Sequence, residues 1–274
     1  DMANMPLHSV DRDNSYPLVM AGGNAVFNPE PMADFIDLFV VGEGEDVIIE
    51  IILALATLRD ANRDAQLRRL AQIPGIYVPR FYQFSYYPED GTLANVEPLV
   101  DEAEPAIVKR ISPLMPEPVT KFIVPYVDVV FNRASIEIQR GCTRGCRFCQ
   151  AGMVFRPVRE RSLEELLETV DKIVAETGHE EIGLLSLSSS DYTQIGALVQ
   201  RIAEKYKDKN LNISLPSLRI ESFSADLLGM LQGSRKSSFT FAPEAATDRM
   251  RNVINKYIPT EDLLRTADEV YDRG

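Results

Sequence analysis

The sequence predicts an α/β protein made of two parts. From Ser135 onward, short apolar runs alternate with amphipathic stretches, which predicts strands alternating with helices in a parallel sheet with right-handed crossovers. Over 16–59, the order strand, helix, strand, helix predicts the closing half of a smaller doubly wound sheet. At 274 residues the chain is long for one domain and comfortable for two.

The first part begins with four predicted elements. In order they are a strand in PLVMAGG, a helix in PEPMADFID, a buried strand in DLFVVGEGE and a helix in EDVIIEIILALATLRD. The prolines of PEPMADFID fall in its first turn, where a missing N–H costs least. A second short helix is predicted over roughly 62–71.

The middle of the chain predicts a hairpin followed by a linker. In FYQFSYYPEDGTLANVEPLV two strands flank the turn residues 88–91, and we expect the aromatic side chains to pack within the hairpin. Five prolines between 105 and 125 exclude long helices. We therefore expect domains at 1–75 and 134–274, with the hairpin and the linker at 76–133 between them.

The second part predicts four strands, in SIEIQ, EIGLLSLS, LNISLPS and SSFTFAPE. The helix after the first strand should begin at Ser162, which forms a capping box with Glu165, and end at Gly178. Further helices are predicted in YTQIGALVQRIAEKYK, in ADLLGMLQ after its cap Ser224, in ATDRMRNVINK and in TEDLLRTADEVYDR.

All three cysteines lie in the stretch that follows the first of these strands. Cys142, Cys146 and Cys149 have the spacing C-x3-C-x2-C, on a segment whose glycines, Gly141 and Gly145, let the backbone curl around a small object. Iron-sulfur clusters are usually held by four cysteines, so three cysteines with no fourth leave one metal atom without a cysteine ligand. That metal atom could bind a substrate or a cofactor.

Two alternatives compete with the iron-sulfur interpretation. Three cysteines with a water or a distant histidine would bind zinc, but the histidines, His8 and His179, lie in no metal-binding context and are assigned no role. A structural disulfide is disfavoured by the odd number of cysteines and their crowded spacing.

Composition limits the classes of partner. The net charge of −12 argues against a general nucleic-acid surface, and neither a membrane span nor a signal peptide is predicted, so we expect a cytoplasmic protein. Residues 133–161, however, include seven arginines and only two glutamates, so this segment is basic. One interpretation is that this basic segment binds an electron-rich cluster, an anionic substrate or an acidic electron donor. The other is that its arginines pair with the chain's own carboxylates.

The string RGCTRGCRFCQAGMVFRPVRERS, with Phe148 before the last cysteine, resembles the radical S-adenosylmethionine (SAM) superfamily. It is most similar to a largely uncharacterised branch with a cobalamin-binding-type domain before the catalytic barrel. The resemblance implies a 4Fe-4S cluster on Cys142, Cys146 and Cys149, whose remaining iron binds SAM. It also implies reductive cleavage of SAM to a 5'-deoxyadenosyl radical, with flavodoxin or ferredoxin as reductant.

The resemblance refines the predicted fold. The four strands of the second part would be the first four of six in a partial radical SAM (β/α) barrel. The first part, with VMAGGNAVFNPEP before DLFVVGEGE, is similar to the C-terminal half of a Rossmann-like cobalamin-binding-type domain. We therefore expect a fragment of a longer protein. Cobalamin binding by this chain is not expected, because the loop that supplies a lower ligand has no counterpart here; the full-length protein is where cobalamin could bind.

The resemblance also implies SAM contacts at the carboxyl ends of the strands, where ligands lie in parallel α/β sheets. In the superfamily a Gly-Gly-Glu-like turn after the second strand receives the SAM amino group, whereas this chain has serines and Asp191 there. An arginine after the third strand would pair with the SAM carboxylate, and a glutamate after the fourth would bind ribose hydroxyls. The candidate contacts are Phe148, Ser189, Asp191, Ser217, Arg219 and Glu244. As alternatives, Asp191, Arg219 and Glu244 are loop caps or surface ion pairs.

The function predicted on this basis is that of a radical SAM enzyme whose substrate the sequence does not specify. Methyl or methylthio transfer follows by analogy alone. The alternatives are a non-catalytic iron-sulfur electron-transfer or sensor module and a three-cysteine zinc module.

Overall fold

The computed structural model describes residues 4–127, 129–209, 211–220 and 240–272. The chain divides into two units, Asp1–Pro116 and Glu117–Gly274. No helix in the described part of the chain is long and apolar enough to cross a membrane.

The N-terminal unit contains a three-stranded mixed sheet. Its strands are β1 (Met20–Ala21), β2 (Leu38–Val40) and β3 (Ile76–Tyr77), in the order β1-β2-β3. The first pair is parallel, as the predicted strand order requires, whereas β3 runs antiparallel to β2. Residues 76–77, which the sequence analysis placed between the two domains, therefore form one edge strand of this sheet.

Two helices cover the sheet of the N-terminal unit and confirm the sequence prediction. They are α1 (Val47–Ala56) and α2 (Arg63–Ala71), and the side chain of Asn62 caps α2 by accepting from the Ala65 N–H at 2.8 Å. The core combines both helices with all three strands, and its most buried members are Leu38, Phe39, Val47, Ile51, Leu67, Leu70, Ile76 and Val78.

The helix predicted in PEPMADFID is wrong in extent, because the structure has only a single 3-10 turn at Glu30–Met32. The stretch has only nine residues, which are too few to hold an isolated helix. Buried Asp37 ends the stretch and accepts from Arg12 and Arg63, each at 2.7 Å.

The predicted hairpin is confirmed. It is formed by β4 (Tyr82–Tyr86) and β5 (Leu93–Pro98), which pair antiparallel. Buried Tyr82 donates its hydroxyl proton to the Glu104 carbonyl at 2.7 Å, which ties the hairpin to the chain that follows.

The second unit contains a parallel sheet and a small antiparallel pair. The parallel sheet has the order β10-β9-β6, with β6 (Ala134–Glu137), β9 (Glu181–Leu185) and β10 (Asn212–Ser214). The pair consists of β7 (Gln139–Arg140) and β8 (Arg159–Glu160). Three of the four predicted barrel strands are thus present in parallel.

Helices pack on one face of the parallel sheet. The long ones are α4 (Leu163–Thr177) and α5 (Ile195–Lys205), and the shorter α3 (Ala151–Val154) precedes them. The alternate residues Ile136, Ile138 and Leu184 point into the core shared with these helices. As predicted, Ser162 caps α4 by accepting from the Glu165 N–H, and Gly178 ends it with φ +68°.

The C-terminal part of this unit holds α6 (Asp248–Val253) and α7 (Thr260–Asp272), both in predicted segments. The predicted helix at 225–232 lies outside the described residues, as do 237–239 of the fourth predicted strand. The remaining residues of that prediction, 240–244, form no strand.

Candidate functional site

The three cysteines lie on a loop between β7 and α3, called here the Cys loop (141–150). The β7–β8 pair closes its base, with Gln139 opposite Glu160. Gly141 has φ +91°, and a Cβ atom there would lie 2.5 Å from the Phe155 carbonyl oxygen, so only glycine fits. The start of the loop is thereby fixed against the chain that follows α3.

Two of the three sulfurs receive hydrogen bonds. Cys142 and Cys146 are buried, and Cys149 is half-buried. The Gly152 N–H donates to Cys149 Sγ at 3.3 Å, and Arg219 Nη1 lies 3.5 Å from Cys146 Sγ. In the described residues, no three His, Cys, Asp or Glu side chains converge as the ligands of a single metal ion would.

The chemistry of the loop fits the cluster that the sequence predicts. The site offers three thiols on one short loop, a backbone N–H directed at one sulfur and a guanidinium at another. Such donors stabilise sulfur ligands that carry negative charge, and they tune cluster potentials.

The loop after β9 contains Asp191, which the sequence predicted as an acceptor for an ammonium group. In the structure Asp191 accepts two bonds from Arg144 of the Cys loop, one of them from Nε at 2.8 Å, and a third from the Ser188 hydroxyl at 2.6 Å. This ion pair joins the Cys loop to the carboxyl end of the sheet.

Backbone contacts join the loop after β9 to the loop after β10. The Ser189 N–H donates to the Ser217 carbonyl at 2.8 Å, and the Arg219 N–H donates to the Ser190 hydroxyl at 3.0 Å. The strand ends therefore form one connected rim, and Arg219 projects from it toward Cys146.

A cavity of about 580 Å³ opens beside the Cys loop. Its lining residues are Thr143, Arg144, Asp191, Arg219, Asn255 and Tyr257. The structure therefore brings two predicted contacts, Asp191 and Arg219, together with the loop that holds the cysteines. The cavity combines acidic and basic side chains, which suits a ligand that has both charges.

The other predicted contacts do not line this cavity. Phe148 is exposed, and the hydroxyl of buried Ser189 is engaged with the Leu184 carbonyl at 2.9 Å. Ser217 contributes its carbonyl to the rim, and Glu244 pairs with Lys256 at 3.1 Å.

Four lining residues were not predicted from the sequence. Thr143 and Arg144 lie between the cysteines, where the sulfurs and the net charge are the features that a motif reports. Asn255 and Tyr257 come from the segment after α6, more than a hundred residues away along the chain, where no motif marks them. A local pattern does not report such long-range contacts.

All seven arginines of the basic segment have partners within the protein. Ion pairs join Arg133 to Glu181, Arg140 to Glu137, Arg144 to Asp191 and Arg161 to Glu165. The guanidinium groups of Arg147, Arg156 and Arg159 donate to backbone carbonyls. Pairing with the chain's own carboxylates, one of the two interpretations of this segment, therefore holds for at least four of its seven arginines.

Tyr192, at the end of the loop after β9, ties this loop to the segment before α4. It is only 1% exposed, and its hydroxyl donates to the Arg161 carbonyl at 2.9 Å. Burial, followed by the nearby carboxylates of Glu160, Glu164 and Glu165, raises the pKa of Tyr192 to about 12. Its hydroxyl therefore stays protonated and keeps this hydrogen bond over the ordinary pH range.

Two family models match the chain. Residues 136–274 match the model of the radical SAM superfamily, and residues 1–79 match a model of the N-terminal region of radical SAM proteins. The chain belongs to the radical SAM superfamily. Membership implies a 4Fe-4S cluster and SAM as cofactors, and it supports an enzyme.

A curated relative extends the match along the chain. The uncharacterized protein MJ0966 of Methanocaldococcus jannaschii is 29% identical over 266 residues, which cover 94% of this chain and 49% of the relative. This radical SAM chain thus spans about half the length of the curated relative it matches.

Solved structures of cobalamin-dependent radical SAM enzymes share the fold. The methyltransferase TsrM from Kitasatospora setae, with tryptophan substrate and the SAM analog aza-SAM, matches with TM-score 0.57 at 16% identity, over 93% of this chain and 48% of TsrM. TsrM with cobalamin and a [4Fe-4S] cluster matches with TM-score 0.51 at 18% identity over the same shares. OxsB with aqua-cobalamin and SAM matches with TM-score 0.50 at 17% identity, over 89% of this chain and 33% of OxsB.

Proposed function

We propose that this chain is the part of a radical SAM enzyme that binds a 4Fe-4S cluster through Cys142, Cys146 and Cys149 and binds SAM beside it. One observation carries the proposal: the cavity of about 580 Å³, with Asp191 and Arg219 in its wall, opens beside the loop that holds the cysteines. A cluster with only three cysteine ligands leaves an iron open toward a neighbouring ligand.

The charges of the cavity suit the amino-acid end of SAM, which has both an ammonium and a carboxylate group. Asp191 would accept from the ammonium, exchanging part of its bonding with Arg144. Arg219 would pair with the carboxylate, because a guanidinium binds carboxylates through two parallel hydrogen bonds. Glu244, the predicted ribose contact, would have to exchange its bond with Lys256.

When bound, a reduced cluster would supply the electron for reductive cleavage of SAM, which is chemistry of the cofactor rather than of the protein. The chain's own residues would hold the sulfurs, orient SAM and limit water at the cavity. An electron donor such as flavodoxin or ferredoxin would serve as reductant. For the complete protein, methyl or methylthio transfer is the reaction class we propose by analogy with the family.

Cys146→Ala tests the ligand assignment. The wild-type chain, reconstituted anaerobically with iron and sulfide, should bind about four of each, and the variant should lose the cluster. Met153→Ala, a change at an exposed position of α3, is the matched control and should keep it. A stable cluster in the Cys146 variant, or one zinc and no sulfide in the wild type, would contradict the proposal.

A further inference from the structure

A distant part of the second unit holds the Cys loop through four hydrogen bonds. It comprises residues 253–257, from the last residue of α6 onward, and is called here the clasp segment. The Asn255 side-chain Nδ2 donates to the Gly145 carbonyl at 2.8 Å and to the Arg144 carbonyl at 3.1 Å. Arg147 donates its backbone N–H to the Ile254 carbonyl at 2.9 Å and its Nη1 to the Val253 carbonyl at 2.7 Å.

The orientation of the Asn255 amide follows from its partners. Both partners are carbonyl oxygens, which only accept, so the nitrogen of the amide must face them and its two N–H groups serve one carbonyl each. Asn255 has φ +59°, a left-handed conformation that asparagine tolerates better than most residues. Its backbone conformation therefore aims the amide at the loop.

The clasp segment is itself firmly held. Arg251 is only 1% exposed, and it donates to the Ile258 carbonyl at 2.5 Å and to the Ala245 carbonyl at 2.9 Å. Lys256 donates to the Ala242 carbonyl at 2.5 Å. Because these bonds fix the chain on both sides of Asn255, the clasp segment can impose a conformation on the Cys loop rather than follow it.

We propose that Asn255 is a positioning residue that sets the backbone of the Cys loop between its first two sulfurs, a role that rests on the function proposed above. The two carbonyls it binds lie between Cys142 and Cys146, and Gly145 between them has φ +70°. A Cβ atom on Gly145 would lie 3.4 Å from Asn255 Nδ2, so the contact is close. Fixing this backbone holds the two buried thiols in place before the cluster arrives.

Three variants separate the hydrogen bonds from the backbone conformation. Asn255→Asp keeps the shape and the tolerance for positive φ but replaces the donor by an acceptor. Asn255→Gly keeps the backbone conformation and removes the side chain. Asn252→Asp, on an exposed residue of α6, introduces the same charge and is the control.

The first measurement is made without the cluster, on the apo chain. Alkylation of each cysteine is followed by mass spectrometry, and both Asn255 variants should react about tenfold faster at Cys142 and Cys146. Cys149, which lies outside the stretch bound by Asn255, should change less, whereas general unfolding would accelerate all three in proportion. Arg147→Ala removes only the exposed hydrogen bond from the Arg147 side chain to the Val253 carbonyl. It should also accelerate alkylation of these cysteines, but by a smaller factor.

The second measurement is made on the reconstituted chain. Iron release to a chelator should be about tenfold faster in both Asn255 variants, and the EPR line shape of the reduced cluster should differ from that of the wild type and of Asn252→Asp. Wild-type rates in both measurements, or equal acceleration of all three cysteines, would overturn the role of Asn255. If the wild type takes up no cluster, the proposed function fails, while the apo alkylation still decides whether the clasp segment positions the loop.

Discussion

At the scale of single residues, Arg219 links the cysteines to the cavity, because its guanidinium lies 3.5 Å from Cys146 Sγ and also lines the cavity wall. Arg219→Lys keeps the positive charge but loses the planar pair of donors that a carboxylate requires. We expect the cluster to be retained and the affinity for SAM to fall about ten- to a hundredfold, in line with one or two lost charge-assisted bonds.

Anaerobic equilibrium dialysis of SAM against the reconstituted chain measures this affinity. Arg201→Lys, on an exposed residue of α5, is the matched control and should bind as the wild type does. An Arg219 variant that binds SAM with unchanged affinity would remove Arg219 from the proposed site.

A second single-residue prediction concerns Asp37 in the N-terminal unit. Its carboxylate is buried between Arg12 and Arg63, and it also accepts from the Val19 N–H at 2.7 Å. Asp37→Asn keeps the shape but leaves two buried guanidinium groups without their counter-charge. We expect a loss of about 3–5 kcal/mol in the stability of this unit.

Hydrogen exchange of the individual backbone amides reports this loss unit by unit, since a two-unit chain does not unfold in a single step. Protection in β2 and α2 should fall while protection in β6 and α4 persists. Asp34→Asn, an exposed aspartate three residues earlier, should change neither. Unchanged exchange in the Asp37 variant would mean that this ion-pair cluster does not stabilise the unit.

At the scale of elements, α4 is the clearest case of local control. Ser162→Ala removes the acceptor for the Glu165 N–H and should cost about 1 kcal/mol, whereas Ser162→Gly should cost only a few tenths. Exchange rates of the first-turn amides of α4 measure the difference. Equal rates in both variants would show that the side chain does not cap the helix.

Local signals explain which elements the sequence could predict. The capping box at Ser162, Gly178 at the end of α4, and the turn between β4 and β5 lie within a few residues of the structure they specify. The helix expected in PEPMADFID depended instead on its surroundings, since only one turn forms in this short stretch before the buried Asp37. The antiparallel direction of β3 is likewise a matter of tertiary pairing.

At the scale of the whole molecule, the candidate site has a local part and a distant part. The cysteine spacing predicted the loop, and strand ends in a parallel sheet predicted Asp191 and Arg219 near it. The pair between Arg144 and Asp191 spans 47 residues, and the bonds of Asn255 to the Cys loop span 110 and 111. The sequence therefore predicted the chemistry of the cysteine motif. The contacts that hold the backbone of the Cys loop are visible only in the folded structure.

If the three cysteines leave an iron open to SAM, adding SAM must change the EPR spectrum of the reduced cluster. The chain is reconstituted anaerobically, reduced with dithionite, and its EPR spectrum is recorded with and without SAM. We predict a 4Fe-4S signal that changes when SAM is added, together with 5'-deoxyadenosine if the chain alone turns over. A cluster signal that SAM leaves unchanged would indicate a fourth protein ligand and would rule out an iron open to SAM.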